Sequence, residues 1–262
     1  MGPGEAAAIL GAGIAAGAVN AVVGSGSLIT FPTLLAFGFP PVVANVSNNV
    51  GLVSGNVSGA VGYRRELAGQ RSRLLRLSVF AVAGSLAGSA ALLSLPSSSF
   101  KLIVPALILI ACVLVFVQPW LSGRIAARRD RRAAAEDAEG PAGPERTSPV
   151  LAAGVVASAA YGGYFGAAQG VLVIGLLGTF LDEPLQRVNG AKNVLVAIVN
   201  GTAAIVYVIF AHVAWLVVLL IAVGSTLGGI IGARYGRRLP PLALRIFVVV
   251  IGVVSAVKLI FF

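Results

Sequence analysis

The sequence predicts an all-α, polytopic membrane protein built from two inverted repeats, each a broken or re-entrant hairpin followed by three transmembrane helices. Three observations lead to this prediction. Of the 262 residues, 58% are hydrophobic and only 11% are charged, whereas soluble domains carry about 25% charged residues. Five runs of 22 to 58 residues contain no Asp, Glu, Lys or Arg, and about 18 apolar residues suffice for a membrane span. The two halves of the chain also resemble each other in sequence.

The composition excludes several function classes. A soluble enzyme and a secreted domain are ruled out by the hydrophobic runs. The net charge of +10 comes from arginines clustered between those runs, which indicates cytoplasmic loops rather than nucleic-acid binding. With one Cys, one His and no acidic residue inside a predicted span, we expect no metal site, cofactor or catalytic triad. Cys112 is expected to be a structural thiol, and the N-terminus lacks the basic region of a cleaved signal peptide.

A polar linker separates the two halves. Residues 122–148 mix charge with Ala, Gly and Pro, which is typical of a solvated connection. We therefore place the first transmembrane repeat at 1–121 and the second at 149–262. With a shift of 144 residues, six identities align within one short window: Asn45 with Asn189, Asn49 with Asn193, Val50 with Val194, Asn56 with Asn200, Ala60 with Ala204 and Tyr63 with Tyr207.

Basic residues set the predicted orientation. They concentrate in the loop after Tyr63, in the linker 122–148 and around Arg234 to Arg245, and such loops face the cytoplasm. We thus expect a multi-pass protein of the cell (inner) membrane, with the linker in the cytoplasm and both termini on the outer side of that membrane. Single spans are predicted near 74–94, 100–121, 186–211 and 214–233.

If all the basic loops are cytoplasmic, the segments 5–38 and 149–182 must each enter and leave the membrane on the same side. Two equal arms would have about 15 to 17 residues, or roughly 22–26 Å, which is shorter than the hydrocarbon thickness of about 30 Å. Re-entrant hairpins and pairs of short tilted helices both fit. The repeats then have opposite orientations, an arrangement typical of secondary transporters with a substrate site near the midplane.

Glycine-rich breaks interrupt both segments. They are Gly24-Ser25-Gly26-Ser27 and Gly166-Ala167-Ala168-Gln169-Gly170. A helix that restarts after such a break offers free backbone N–H groups and a partial positive charge to an anion. Packing kinks are the alternative, but the matching places of the breaks in two repeats favour a ligand site.

A stripe of asparagines follows each hairpin. Asn45, Asn49 and Asn56 lie within about 40° of one another on a helix, as do their equivalents in the second half. Carboxamides are costly in lipid, so both stripes should face protein or an aqueous cavity. Asn56 and Asn200 are interpreted as structural. The better ligand candidates lie nearer the helix starts: Ser47, Asn48, Asn49, Asn189 and Asn193.

Lys192 lies at least one turn inside its helix, near Asp182 and Glu183. Either it extends along the helix to the cytoplasmic surface, or it is a buried ammonium that pairs with an anion. A counter-ion would then come from Asp182, Glu183 or a substrate, and we favour the substrate. Aromatic residues at helix ends are interpreted as interfacial anchors: Tyr63, Trp120, Tyr207 and Trp215.

The run GSGSLITFPTLLAFGFPPVVANVSNNVGLVSGNVSGAVGYRREL (24–67) resembles the signature of the sulfite exporter TauE/SafE family. YGGYFGAAQG (161–170), NGAKNVLVAIVNG (189–201) and GSTLGGIIGARYGRRLP (224–240) resemble that family's later motifs in the same order. The likeness covers nearly the whole chain except the linker. Where many members carry a Thr-Asn-Lys run, this chain has Ser47-Asn48-Asn49, so one positive charge is absent.

The resemblance implies a transporter, not an enzyme, for sulfite, thiosulfate or an organosulfonate. Its expected partners are that small anion and the lipid bilayer, and a homodimer is left open. Without an acidic residue in a predicted span, export is favoured over proton-coupled uptake; a non-transport scaffold and an anion channel are further alternatives. The site would comprise both breaks and the following helices: Ser25, Gly26, Ser27, Ser47, Asn48, Asn49, Ala168, Gln169, Gly170, Asn189, Lys192 and Asn193.

Overall fold

A computed structural model describes residues 1–139, 148–181, 183–235 and 241–261, and within these ranges the chain is helical without any strand. The helices are α1 (Pro3–Val22), α2 (Ser27–Ala36), α3 (Pro41–Gly62), α4 (Arg71–Ser94), α5 (Ser97–Glu139), α6 (Pro149–Tyr164), α7 (Gln169–Phe180), α8 (Leu185–Phe210), α9 (Trp215–Tyr235) and α10 (Pro241–Phe261). Five are long and apolar enough to cross a membrane: α1, α4, residues Ser98–Trp120 of α5, α8 and α9. The predicted all-α, multi-pass membrane fold is confirmed.

Both predicted helix breaks are present. The first separates α1 from α2 at residues 23–26, and the second separates α6 from α7 at residues 165–168. The expectation of equal arms is wrong for the first hairpin, since α1 has 20 residues and α2 has 10. At 1.5 Å per residue α2 is only about 15 Å long, so it covers part of the membrane thickness. The second hairpin has arms of 16 and 12 residues.

The two halves pack on each other in matching ways. α1 packs along α9, and its counterpart α6 packs along α4; likewise α5 contacts α7 and α10 contacts α2. Both long contacts run parallel, with small residues at the seam. The contacts that fix these directions are Gly13–Ile221, Gly17–Ser225, Gly84–Val156 and Gly88–Ala160. Glycine lets the helix backbones approach closely, as is typical of packing in membranes.

The helices α3 and α8, which are equivalent in the predicted repeats, also contact each other, and they run antiparallel. Positions early in one helix meet positions late in the other: Asn49 with Asn200, Gly59 with Asn193 and Tyr63 with Gly190. This direction agrees with inverted repeats, although the inverted relation of the whole halves stays a prediction. The predicted linker is helical at residues 122–139, where it continues α5; residues 140–147 lie outside the described residues.

Candidate functional site

The two helix breaks meet in the interior of the protein. The amide of Gly170 donates a 3.2 Å hydrogen bond to the carbonyl of Gly24, whose φ is +84°. A Cβ atom on Gly24 would lie 2.6 Å from the Cα atom of Gly170, and one on Gly170 would lie 2.5 Å from that of Gly24. Glycine is therefore required on both sides of this contact, because any side chain would separate the breaks.

Asn20 organises the first break from the last turn of α1. Its Oδ1 accepts a 2.9 Å hydrogen bond from the amide of Gly26, and its Nδ2 donates a 2.8 Å bond to Oδ1 of Asn56. Asn56, which was interpreted as structural, thus has Asn20 and not Asn200 as its hydrogen-bond partner. Sequence analysis missed Asn20, although it is a carboxamide inside an apolar run one turn before the glycines, which was a usable signal.

Lys192 is fully buried and binds the end of α1. Its Nζ donates to the carbonyl oxygens of Asn20 at 2.8 Å and Ala21 at 3.3 Å, and Asn193 donates to the Ala21 carbonyl at 3.3 Å. The last carbonyls of a helix lack intrahelical partners and carry partial negative charge, so they attract a cation. With 0% of Lys192 exposed, extension of its side chain to the surface is wrong and the side chain is buried, while its pairing with an anion stays a prediction.

α3 makes the reciprocal contact with the second break. Nδ2 of Asn45 donates a 3.0 Å hydrogen bond to the carbonyl of Tyr164, the last residue of α6. Nδ2 of Asn49 donates to Oδ1 of Asn200 at 3.4 Å, and it lies 4.0 Å from the Cβ position of Gly166. Each half therefore uses the helix after its own hairpin to hold the break of the other half.

All the predicted asparagines are buried, with 1% to 7% of each residue exposed, so their predicted protein-facing orientation is confirmed. Several buried polar atoms at the breaks have no hydrogen-bond partner within the described part of the chain. They include the hydroxyl of Ser25, the Nδ2 of Asn56 and both polar atoms of the Gln169 side chain. Oδ1 of Asn49 and of Asn189 are also without a partner. Unpaired buried polar groups cost free energy, which a polar ligand can recover.

Other candidate residues have structural partners. The hydroxyl of Ser47 accepts a 2.9 Å hydrogen bond from the amide of Ala214 just before α9, and Asn48 accepts one from the hydroxyl of Thr30. The amides of Gly26 and Gly170 are bonded within the protein, which corrects the expectation that they are free for an anion. Ser27 lies in the first turn of α2 and is buried, and Ala168, at φ +57°, precedes α7.

A cluster of three charged residues joins the α3–α4 loop region to the α7–α8 loop. Glu183 accepts a 3.0 Å hydrogen bond from Nη1 of Arg73 and is also bonded by Arg187, while Arg187 donates to the carbonyl of Ala68 at 3.1 Å. Burial alone would raise the pKa of Glu183, but the bonds from Arg187 and Arg73 hold it below its usual range. Glu183 is therefore not the counter-ion of Lys192, and Asp182 lies outside the described residues.

Two of the predicted interfacial anchors are in the core. Tyr63 and Tyr207 are 1% and 0% exposed, and the Tyr207 hydroxyl donates to the carbonyl of Gly163. Their prediction as anchors is wrong because both are packed inside the protein, Tyr63 against Gly190 of the other half and Tyr207 against Gly163 of its own half, whereas Trp120 and Trp215 are exposed. At the helix ends opposite the charged cluster, a cavity of about 450 Å³ is lined by Pro40, Pro41, Leu93, Ala211 and His212 among others.

The sequence comparisons agree with this architecture. The model of the family described as "Sulfite exporter TauE/SafE" matches residues 9–259. The chain is similar to a "Probable membrane transporter protein" of Haemophilus influenzae, with 24% identity over 95% of this chain and 92% of that protein. It is similar to "Probable membrane transporter protein YfcA" of Escherichia coli K12, with 23% identity over 94% and 86%.

A third relative is "Probable membrane transporter protein ORF9" of Sinorhizobium sp, which is 25% identical over 93% of this chain and 88% of its own length. No solved structure matches the chain. Because the family model spans almost the complete sequence, including both breaks and both asparagine-bearing helices, the chain belongs to the sulfite exporter TauE/SafE family.

Proposed function

We propose that this membrane transporter exports a small sulfur-containing anion, sulfite, thiosulfate or an organosulfonate, by alternating access. The observation that carries the proposal is the meeting of two helix breaks beside a buried ammonium. Lys192 supplies positive charge there, and Ser25, Asn56 and Gln169 supply hydrogen-bond donors that have no partner among the residues described. An oxyanion needs both, because a charge taken from water must be neutralised and hydrogen-bonded.

The remaining site residues position these groups. Asn193 holds the α1 end together with Lys192, and Asn49 lies close to Gly166. Gly26 and Gly170 allow the backbones to approach, while Ser27, Ala168 and Asn189 line the adjoining turns. Ser47 and Asn48 are retained only as supports of α3, since both have partners on other helices.

Alternating access requires two ends that open in turn. The Arg73–Glu183–Arg187 cluster closes one end, beside the basic loop that charge bias assigns to the cytoplasm. The cavity near His212 lies at the other end. We therefore propose that this cluster is a cytoplasmic gate and that the described conformation is closed toward the cytoplasm. The antiparallel α3 and α8 support the inverted repeats that such a mechanism uses.

Membrane potential supports export. With a negative interior, moving one negative charge outward is favourable by about 2.3 kcal/mol per 100 mV. Uptake would have to overcome this free energy with a coupled ion. The buried part of the described chain contains no carboxylate to carry a proton, and such a carboxylate is a usual carrier in membranes.

The function can be tested with purified protein in proteoliposomes. We expect release of labelled sulfite or methanesulfonate from vesicles, accelerated by an inside-negative potential and independent of a proton gradient. The background flux is measured with vesicles that contain no protein. Vesicles that contain a Gly88→Val variant give a second background if that variant fails to fold. Accumulation against the potential that depends on a proton gradient would instead establish coupled uptake, and no flux of any sulfur anion would refute the substrate assignment.

Replacing Glu183 with glutamine is expected to loosen the proposed cytoplasmic gate. The substitution removes the charge that binds Arg73 and Arg187, a partly exposed pairing worth about 1 kcal/mol. In a Cys112→Ser background, a cysteine at buried Val188 should react with maleimide about fivefold faster after this change. Glu5→Gln, at the start of α1, is the control and should leave the rate unchanged.

The same labelling has a defined pH dependence. The arginine partners of Glu183 lower its pKa. Glu183 therefore stabilises the closed gate fully at pH values above the ordinary pKa of a glutamate, and this stabilisation is lost as pH falls through the lowered pKa. Acid also lowers the thiolate fraction in both proteins, so the two labelling rates are compared at each pH. The ratio of the Glu183→Gln rate to the parent rate should fall from about five toward one on acidification, and a ratio that does not change with pH would contradict the gate.

A further inference from the structure

The crossing of the two breaks carries a single buried positive charge. Among the described residues whose burial is known, Lys192 is the only buried one with a charged side chain. Its partners are two neutral backbone carbonyls, of Asn20 and Ala21. Carbonyl dipoles stabilise an ammonium but carry no net charge, so the protonated Lys192 side chain brings one positive charge to the region.

The side chains around Lys192 are neutral. Asn193 binds the Ala21 carbonyl beside Lys192, and Asn20, whose carbonyl Lys192 binds, is bonded to Asn56. Gln169 lies next to Gly170, against which Lys192 packs, and Ser25 follows Gly24, which contacts Gly170. An ammonium has three donor hydrogens, and the two carbonyl bonds leave one of them for a ligand. Together with the unpaired donors of Ser25 and Asn56, this gives a small set of donors around one unit of charge.

A ligand of one negative charge would make this region neutral. A ligand of two negative charges would leave one charge uncompensated in a low-dielectric interior, at an effective cost of several kcal/mol. The number of charges on the anion is therefore a stronger criterion here than its shape, because the hydroxyl and carboxamide donors suit any oxyanion.

We propose that this transporter selects its substrate by charge, binding monovalent sulfur oxyanions such as organosulfonates and hydrogen sulfite in preference to divalent sulfite, sulfate or thiosulfate. The proposal rests on the proposed function and narrows its substrate class. Lys192 is the residue that determines this preference, since it supplies the one charge that the anion neutralises.

The test compares anions that differ in charge and are matched in structure. Calorimetric titration of the purified protein at one pH would use ethanesulfonate against ethane-1,2-disulfonate, and methanesulfonate against sulfate. We expect the monovalent member of each pair to bind about 100-fold more tightly. None of these four probes changes its charge near neutral pH, so the comparison is independent of protonation of the ligand.

Variants of Lys192 identify the source of the preference. Lys192→Met should weaken ethanesulfonate binding about 100-fold and bring it close to that of the disulfonate. Lys192→Arg should preserve the preference for one charge, and Arg64→Met, which removes an exposed charge after α3, should change nothing. Size-exclusion chromatography shows whether each variant folds. If Lys192→Met does not fold, charge selection is still tested by the binding of the two anion pairs to the wild-type protein and to Lys192→Arg.

The outcomes separate this inference from the function on which it rests. Binding of the divalent anions as tightly as the monovalent ones would overturn charge selection while leaving sulfur-anion transport in place. Persistence of the preference in a folded Lys192→Met protein would overturn the role of Lys192. If neither class of sulfur anion binds or is transported, the proposed function itself fails.

Discussion

Replacing Gly88 with alanine is expected to destabilise the folded protein by about 3 kcal/mol or more. A Cβ atom at this position would lie 1.9 Å from the carbonyl oxygen of Ala160 and 2.9 Å from the amide nitrogen of Tyr164. Both are backbone atoms of α6, so no rotamer change can relieve the overlap, and α4 and α6 must separate. Gly228, which would place a Cβ 1.9 Å from the carbonyl oxygen of Ile14 in α1, should behave in the same way.

The measurement is unfolding in mixed micelles at increasing denaturing detergent, followed by helical circular dichroism. Gly201→Ala is the matched control: Gly201 lies within α8 and has no neighbouring atom within 4 Å of its Cβ position. Without a packing cost, alanine should stabilise the helix by about 0.5–1 kcal/mol. The two substitutions are thus expected to have effects of opposite sign, and equal effects would show that the α4–α6 seam is looser than the structure indicates.

Replacing Gly24 with alanine is expected to reduce transport to the background while the protein still folds. The methyl group would lie 2.6 Å from the Cα atom of Gly170, which would push the two breaks apart and remove the bond between the Gly170 amide and the Gly24 carbonyl. The donors of Ser25 and Gln169, one on each break, would then no longer share the site. The expected loss of initial flux is about 100-fold, since misplacing reacting or binding groups by about 1 Å has effects of this order.

Gly38→Ala separates this contact from backbone strain. Gly38 has a φ of +80°, close to the +84° of Gly24, but nothing lies within 4 Å of its Cβ position. A left-handed alanine costs roughly 1–2 kcal/mol at either position, and Gly24→Ala adds the overlap with the Gly170 backbone, so Gly38→Ala controls for the strain alone. Flux in proteoliposomes and size-exclusion profiles should show two folded proteins of which only Gly38→Ala transports; equal flux in both would contradict a functional contact between the breaks.

The features that sequence reasoning could predict were those encoded locally. Glycine clusters within charge-free runs located both breaks, and the spacing of Asn45, Asn49 and Asn56 placed them on one buried face. The burial of Lys192 followed from its distance into an apolar helix and was one of two open alternatives. In each case the decisive information lies within one helix or one turn, where periodicity and charge are readable.

The pairings across the halves could not be predicted. Whether Asn49 meets a ligand or Asn200, and whether Ser47 faces a break or the amide of Ala214, depends on the register between helices that are 150 or more residues apart. Tyr63 and Tyr207 were misassigned because a tyrosine at a helix end is exposed or buried according to what packs beside it, which is the other half for Tyr63 and α6 of the same half for Tyr207. Asn20 alone was visible in the sequence and overlooked.

The exchange of contacts at the breaks bears on how this chain can assemble. The carbonyls that end α1 are bound by Lys192 and Asn193 from the second half, and the carbonyl that ends α6 is bound by Asn45 from the first. Alone in lipid, either half would leave these carbonyls without donors, at a cost of several kcal/mol each. We therefore expect the two halves to depend on each other for folding, since each supplies the donors that the hairpin of the other requires.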